Sequence, residues 1–236
     1  MIWKGLEFST YNLDVYPPKP ASLLLAEVAT RVVRPQAKVL DACTGCGVVA
    51  IAVAKFVPQV EVCACDSNLD AITVTKRNAK QNEVRVAPTV GDLYAPFPDG
   101  VFDVITVHPP AVPYSPNKDW GLTAGMKVAA DGGVDGSLVV SRAITEARRC
   151  LSKGGTLLLL LPHWSNVRKA RSLLRENYIK IIELGALKTC FFPLVEGRPD
   201  DDVVQYAREL AERGTIELAF QDGKTTSTVS VIQAIK

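Results

Sequence analysis

The sequence predicts an α/β protein built on a doubly wound, mostly parallel sheet of seven strands, with an antiparallel strand at the C-terminal end. Three observations carry this expectation. From residue 36 onward, short β-branched or aliphatic runs alternate with amphipathic helical patterns. The run at 155–161 is almost wholly apolar, which suits a strand covered on both faces, as in parallel sheets. Repeated strand–helix units of this kind wind into one sheet through right-handed crossovers.

Taken in order, Trp3-Lys4-Gly5-Leu6-Glu7-Phe8 alternates loosely, as a small hairpin or an extended arm does. Pro17-Pro18-Lys19-Pro20 imposes a stiff turn and leads into a helix. Leu23, Leu24, Ala26, Glu27, Val28 and Val32 give that helix its apolar face, and it should end before Pro35. Strands are expected at 39–40, 60–65, 84–90, 102–107, 155–161 and 179–184, and helices at 48–56, 68–82, 137–151 and 164–177. The stretch 112–134, with Pro113, Pro116, Trp120 and several glycines, is expected to be a long loop of the kind that acts as a lid or touches substrate. Asp200-Asp201-Asp202 opens a helix running to about residue 213, its acids at the positive end. Residues 215–220, the turn Gln221-Asp222-Gly223-Lys224, and 225–235 then give strand, turn and strand, the last entering the sheet antiparallel.

At 236 residues and 47% hydrophobic, the chain suits one domain with a sizeable core rather than two small ones. Lys and Arg number 27 against 25 Asp and Glu, a net charge of +2 with no long run of one sign, so no strong nucleic-acid or anionic-membrane signal is present. The first thirty residues hold charges and prolines where a secretory segment would be apolar, and 156–161 falls far short of the roughly 20 residues of a membrane helix. Six cysteines without a secretory signal fit reduced thiols and a cytoplasmic location.

The chemistry concentrates in Lys38-Val39-Leu40-Asp41-Ala42-Cys43-Thr44-Gly45-Cys46-Gly47-Val48-Val49-Ala50. An aliphatic run stops at an aspartate, a small-residue turn follows, and a helix begins: a cradle for a nucleotide-like ligand. Gly45 to Ala50 fits the dinucleotide pattern G-x-G-x-x-A, so a nicotinamide dinucleotide and S-adenosylmethionine compete for the loop. Asp66, 19 positions after Gly47 and followed by Ser67, suits the ribose hydroxyls of either. Asp41 separates them. It would repel a pyrophosphate over the glycines, whereas the ammonium and sulfonium of S-adenosylmethionine favour a carboxylate; a cap for the loop amides is the alternative role. Cys43-Thr44-Gly45-Cys46 also spells C-x-x-C, but the loop accounts for it better than a redox pair, and no metal site is expected. Asp92, in Gly91-Asp92-Leu93, can accept from the exocyclic amine of adenine, or belong to an ordinary turn. His108-Pro109-Pro110 closes the strand at 102–107 beside the switch point of the sheet, where rigid proline carbonyls can take a substrate N–H, or simply reverse the chain.

Collected in order, these segments resemble the class I S-adenosylmethionine-dependent methyltransferases and, more narrowly, the release-factor glutamine N5-methyltransferase family. Trp3 to Phe8 and Pro18-Lys19-Pro20 resemble the arm of that family, and Val39 to Gly47 its methionine-binding loop. His108-Pro109-Pro110-Ala111-Val112-Pro113 resembles its N-P-P-Y-I-P signature, and Asp131-Gly132-Gly133-Val134-Asp135-Gly136 its later glycine-rich segment. The resemblance implies a Rossmann-like fold and S-adenosylmethionine held by Asp41, Ala42, Cys43, Thr44, Gly45, Gly47, Asp66, Ser67, Asp92, Leu93 and His108. It implies a substrate site at Pro109, Pro110, Ala111, Tyr114 and Trp120. The single domain 1–236 then divides into an arm and helix (1–35), a cofactor-binding core (36–186) and a C-terminal insertion with hairpin (187–236).

The departures bear on the acceptor. The family's asparagine, which makes paired contacts to the substrate amide, and its packing tyrosine are His108 and Ala111 here; imidazole lacks the paired donor and acceptor of an amide, and alanine has no aromatic face. The acids after the prolines of the arm are replaced by Ala21-Ser22-Leu23, and the helical recognition domain of full-length members has no counterpart. The expected reaction is therefore methyl transfer to an N or O nucleophile of a small-molecule or protein acceptor other than release-factor glutamine. His108 is the expected general base, its unperturbed pKa lying near neutrality. Tyr114 is expected to restore the aromatic packing or to anchor the loop, and 190–199, with Phe191-Phe192, is a second candidate wall. A nicotinamide-dependent oxidoreductase and a catalytically silent cofactor-binding module are the alternatives. The sequence does not indicate an oligomeric state.

Overall fold

The computed structural model describes residues 1–115, 122–191, 201–221 and 224–236. Trp120 and the expected wall beyond Phe191 lie outside the described residues. A two-stranded hairpin, β1 (Ile2–Trp3) and β2 (Leu6–Glu7), precedes the core. Then follow α1 (Pro20–Val32), β3 (Lys38–Ala42), α2 (Val48–Phe56), β4 (Glu61–Asp66), α3 (Leu69–Gln81), β5 (Ala87–Val90), β6 (Phe102–Val107), α4 (Ala124–Ala130) and α5 (Leu138–Cys150). The remainder is β7 (Leu151–Pro162), α6 (Val167–Asn177), β8 (Lys180–Cys190), α7 (Asp201–Glu212), β9 (Ala219–Gln221) and β10 (Lys224–Ile235).

The main sheet runs β5-β4-β3-β6-β7-β10-β8, with β9 pairing on β10. The pairs β4–β5, β3–β4, β3–β6 and β6–β7 are parallel, whereas β10 runs antiparallel to both β7 and β8. This is the expected architecture, the short β9 being an addition to its seven-stranded path. Successive side chains point to opposite faces, so each strand feeds two cores. Val39, Ala64, Val104, Leu158 and Leu160 pack under α1, α2 and α3; Leu40, Cys65, Ile105, Leu157, Leu159 and Leu161 pack under α5 and α6. A third apolar cluster joins Val203, Ala207 and Leu210 of α7 to Phe191 and Ile216, with Tyr114 and Trp164 against it.

Several boundaries differ from the sequence expectation. β5 is confined to 87–90, at the sheet edge where Pro88 removes no central ladder bond. β7 begins earlier than expected, at Leu151, where it pairs with Phe102 of β6, and β8 is longer because β10 pairs with it along 180–190. The strand expected at 215–220 is reduced to β9. The largest difference is α4, a seven-residue helix within the expected loop, whose N-cap Thr123 accepts from the Met126 N–H. Among the described residues, no helix is long and apolar enough to cross a membrane.

Candidate active site

The strand order reverses direction between β3 and β6, since β3 leads to β4 on one side and β6 leads to β7 on the other. Ligands of open α/β sheets bind outside the carboxyl ends of the strands at such a point. A cavity of about 1100 Å³ lies there. Its walls come from the segments after β3 (Cys43 to Cys46), β4 (Asp66 to Asn68), β5 (Gly91 to Leu93) and β6 (His108 to Val112). The arm (Val15 to Pro17), the start of α1 (Lys19 to Ser22) and α4 (Gly125, Met126, Val128) add to them, as do Trp164 and, at the start of the expected second wall, Cys190.

Most of the expected cofactor residues meet at this cavity: Asp41, Cys43, Thr44, Gly45, Asp66, Ser67, Asp92, Leu93 and His108. Two do not. Ala42 is fully buried in the core beneath the sheet, and Gly47 is the N-cap of α2 with φ +83°, so it turns the chain and does not form wall. Of the expected substrate residues, Pro109, Pro110 and Ala111 line the cavity. Tyr114 does not. Its N–H donates to the Gly133 carbonyl (2.8 Å), its ring packs against the third cluster, and the Lys127 ammonium sits 4.9 Å over that ring. Its ring thus packs with the third cluster, and Tyr114 is not among the described residues that line the cavity.

Asp41, 2% exposed, accepts from the hydroxyls of Thr44 (2.6 Å) and Thr106 (2.7 Å) and from the Ala50 N–H (3.3 Å). It therefore caps the loop as well as facing the cavity. Burial outweighs those donors and pushes its carboxyl up to about 6. Asp66 accepts from the N–H groups of Gly45 (2.9 Å) and Asn68 (3.0 Å), and burial again raises its pKa. Both oxygens of Asp92 are held by the Arg142 guanidinium (3.1 and 3.0 Å), an anchor on α5 that no local motif signals. With Asp92 paired to Arg142, the Asp41 and Asp66 carboxylates still face the cavity against Lys19 alone among the described residues, which favours a cation, and a pyrophosphate over the loop would face the buried Asp41. The residues present thus fit S-adenosylmethionine and not a nicotinamide dinucleotide. The C-x-x-C thiols are no redox pair poised as thiolate: burial and the Asp66 and Asp41 carboxylates raise Cys43, and burial pushes Cys46 up to about 12.

His108 lies at the end of β6 with its edge on the cavity. Its Nδ1 is 3.4 Å from the Ser22 hydroxyl of α1, and Nε2 has no hydrogen-bond partner among the described residues. Burial lowers its pKa to about 4, so the imidazole is neutral at physiological pH. A ring so hard to protonate is a weaker base than a free imidazole and a competent hydrogen-bond partner. The turn after His108 is seated by the glycine-rich segment, because a Cβ at Gly132 would stand 2.7 Å from the Ala111 backbone. Sequence reasoning missed Tyr16, a cavity residue whose hydroxyl burial pushes up to about 12, and Ser22 as the partner of His108.

Comparison with known proteins agrees with this geometry. A family profile described as methyltransferase small domain matches residues 8–119. A provisionally named protein N5-glutamine methyltransferase of Methanocaldococcus jannaschii is 31% identical over 182 residues, 77% of this chain and 89% of that protein. The release factor glutamine methyltransferase of Geobacter sulfurreducens is 31% identical over 162 residues; the match covers 66% of this chain but only 56% of that enzyme's length. Among solved structures, the T. thermophilus 16S rRNA N2 G1207 methyltransferase, in complex with AdoMet and guanosine, superposes with a TM-score of 0.54 at 19% identity. That superposition covers 93% of this chain and 44% of the other, and is a likeness of fold. With its acid-lined cavity at the switch point and these relatives, the chain belongs to the S-adenosylmethionine-dependent methyltransferases, in the family that includes the protein N5-glutamine methyltransferases.

Proposed function

We propose that this methyltransferase modifies a nitrogen on a protein acceptor other than release-factor glutamine, and that the acceptor nitrogen makes one hydrogen bond to a neutral His108. The observation that carries the proposal is the His108–Ser22 pair: a half-buried imidazole held uncharged at the cavity edge, with Nδ1 3.4 Å from the Ser22 hydroxyl and Nε2 without a hydrogen-bond partner among the described residues. The protein acceptor is supported by the names of the relatives, which act on a release factor or on protein glutamine.

S-adenosylmethionine, when bound, supplies a methyl group activated on a cationic sulfur. The chain's own task is to bring a nucleophile in line with it and to exclude water. When Ser22 accepts from Nδ1–H, Nε2 keeps its lone pair and accepts an N–H from the acceptor. A protonated ring would do neither and would place a second positive charge beside the cationic cofactor. Nitrogen is favoured over oxygen because a hydroxyl must surrender its proton to attack, and a group of pKa about 4 is a poor recipient. An amine or amide nitrogen attacks with its proton still held: the N–C bond forms as the C–S bond breaks, S-adenosylhomocysteine leaves as the neutral thioether, and the methylated nitrogen then gives its proton to solvent. The Pro109 carbonyl, whose backbone Pro110 stiffens, is the candidate acceptor for a second N–H. Ala111 offers no aromatic face, and His108 supplies one contact in place of two, so the paired recognition of a glutamine amide is not reproduced.

The test is transfer of a labelled methyl group from S-adenosylmethionine to candidate acceptors: release factor, ribosomal protein uL3, fractionated cell protein, and small amines and phenols. Label on a protein nitrogen outside the release-factor glutamine is the expected result. Efficient labelling of that glutamine, or label confined to small molecules or to oxygen, would overturn the reading.

A further inference from the structure

We propose that Asp14 is a positioning residue that latches the α4 wall of the cavity to the ribose-binding acid, so that cofactor binding fixes the wall against which the acceptor sits. The inference rests on the assignment of the cavity to S-adenosylmethionine and goes beyond it by naming how its two ends communicate.

Asp14 lies in the arm, with α4 on one side and the segment after β4 on the other. Toward α4, its carboxylate accepts from the Gly125 N–H (2.7 Å) and from the Thr123 hydroxyl, the same hydroxyl that caps the helix. Toward β4, its main-chain carbonyl accepts from the Asn68 side-chain amide (2.8 Å). Asn68 in turn donates its own N–H to Asp66 (3.0 Å), whose other oxygen holds the Gly45 N–H of the glycine loop (2.9 Å). A continuous chain of hydrogen bonds thus runs from the loop and the ribose acid, through Asn68 and Asp14, to the first turn of α4.

Contact at the α4 end is as close as backbone permits. A Cβ at Gly125 would stand 2.1 Å from the Asp14 carbonyl oxygen and 2.9 Å from the Asn68 amide nitrogen. Gly125, Met126 and Val128 line the cavity, as do Asp66 and Asn68. Seven residues make too short a helix to hold itself, so α4 takes its position from what binds its first turn. A carboxylate accepting two donors there is a strong tether, since hydrogen bonds to a charged group exceed neutral ones. A ligand that orders Asp66 therefore orders Asn68, the arm and α4, and by linkage a well-placed α4 favours the ligand equally.

The experiment is amide hydrogen exchange on the full chain, with and without S-adenosylhomocysteine, beside calorimetric affinity for the same ligand. In the wild-type protein, the ligand should slow exchange at Gly125 and Met126 by about tenfold or more, the scale of one charge-assisted hydrogen bond. In Asp14→Ala the ligand should still protect the Gly45 loop, but the slowing at α4 should vanish. Asp14→Asn, which keeps an acceptor oxygen, should restore part of it. Should Asp14→Ala fail to fold, Thr123→Val removes one of the two tethers and should halve the logarithmic slowing. Binding with α4 exchange unchanged in the wild type, or with α4 protection intact in Asp14→Ala and Thr123→Val, would overturn the latch alone. Absence of binding would overturn the cofactor assignment and the latch with it.

Discussion

Replacing His108 by asparagine, which cannot titrate, measures how firmly the fold keeps that imidazole neutral. Burial lowers its pKa from 6.5 to about 4. A depressed histidine contributes stability that is fully present above its unfolded value, here 6.5, and lost as the pH falls through 6.5 towards 4. At about 1.4 kcal/mol per pH unit between the two values, the full span is about 3 kcal/mol, and about 2.5 kcal/mol is lost by pH ~4.5. Asp41 works in the opposite direction. Its raised carboxyl favours folding below its unfolded value of 3.8, and that contribution is lost as the pH rises through about 6. The stability of the wild type alone therefore mixes the two, and only the difference between wild type and His108→Asn isolates the ring. Urea unfolding of both proteins at pH 7.5 and pH 4.5 is the assay. The variant should gain about 2–3 kcal/mol on the wild type between the two conditions. A difference that stays constant, or moves the other way, would refute the claim that burial keeps His108 uncharged and would return it to the role of an ordinary base.

Three further outcomes follow from the geometry. Affinity for S-adenosylhomocysteine, whose ammonium favours an ionised Asp41, should fall as the pH drops below about 6, approaching about tenfold per pH unit; calorimetry at pH 7.5 and 5 checks this, and Asp41→Asn should flatten the dependence while weakening binding at neutral pH. Gly132→Ala puts a methyl 2.7 Å from the Ala111 backbone, so it should displace the His108 turn and cost methyl transfer about tenfold or more, with a stability loss of about 1–3 kcal/mol. His163→Gln disrupts a bridge in which Nδ1 meets Glu217 (2.8 Å) and Nε2 meets the buried Ser230 hydroxyl (3.0 Å). It should cost about 1–3 kcal/mol in urea unfolding and leave cofactor affinity unchanged, since His163 does not line the cavity.

The alternation of strand and helix and the loop after β3 were legible because both are local: apolar runs of strand length, a terminal aspartate and closely spaced glycines act over a dozen residues. Thr123 and Asp14, which meet across 109 positions, have no such signature. Neither has Ser22 beside His108, 86 positions away, although both residues stand at sites where the chain departs from the family pattern. The helix α4 was hidden because seven residues of Ala, Gly, Met, Lys and Val, flanked by glycines, carry too few turns for periodicity to show. The surroundings of Tyr114 were hidden for a different reason: it stands a few residues after the prolines, but its ring packs with an apolar cluster contributed largely from α7, which local sequence does not foretell.

The position of β10 orders events in time. Strands β4 to β7 can find their neighbours as they leave the ribosome, because each pairs with one already made. β8 cannot: among the described residues its partner in the sheet is β10, which is synthesised later. Until residues 224–235 arrive, the outer edge of β7, with its run from Leu157 to Leu161, offers unsatisfied N–H and C=O groups to any passing strand. A nascent or truncated chain stopping short of β10 would therefore be a sticky, self-associating species, and the pairing of residues 224–235 with β7 is the event that covers that edge.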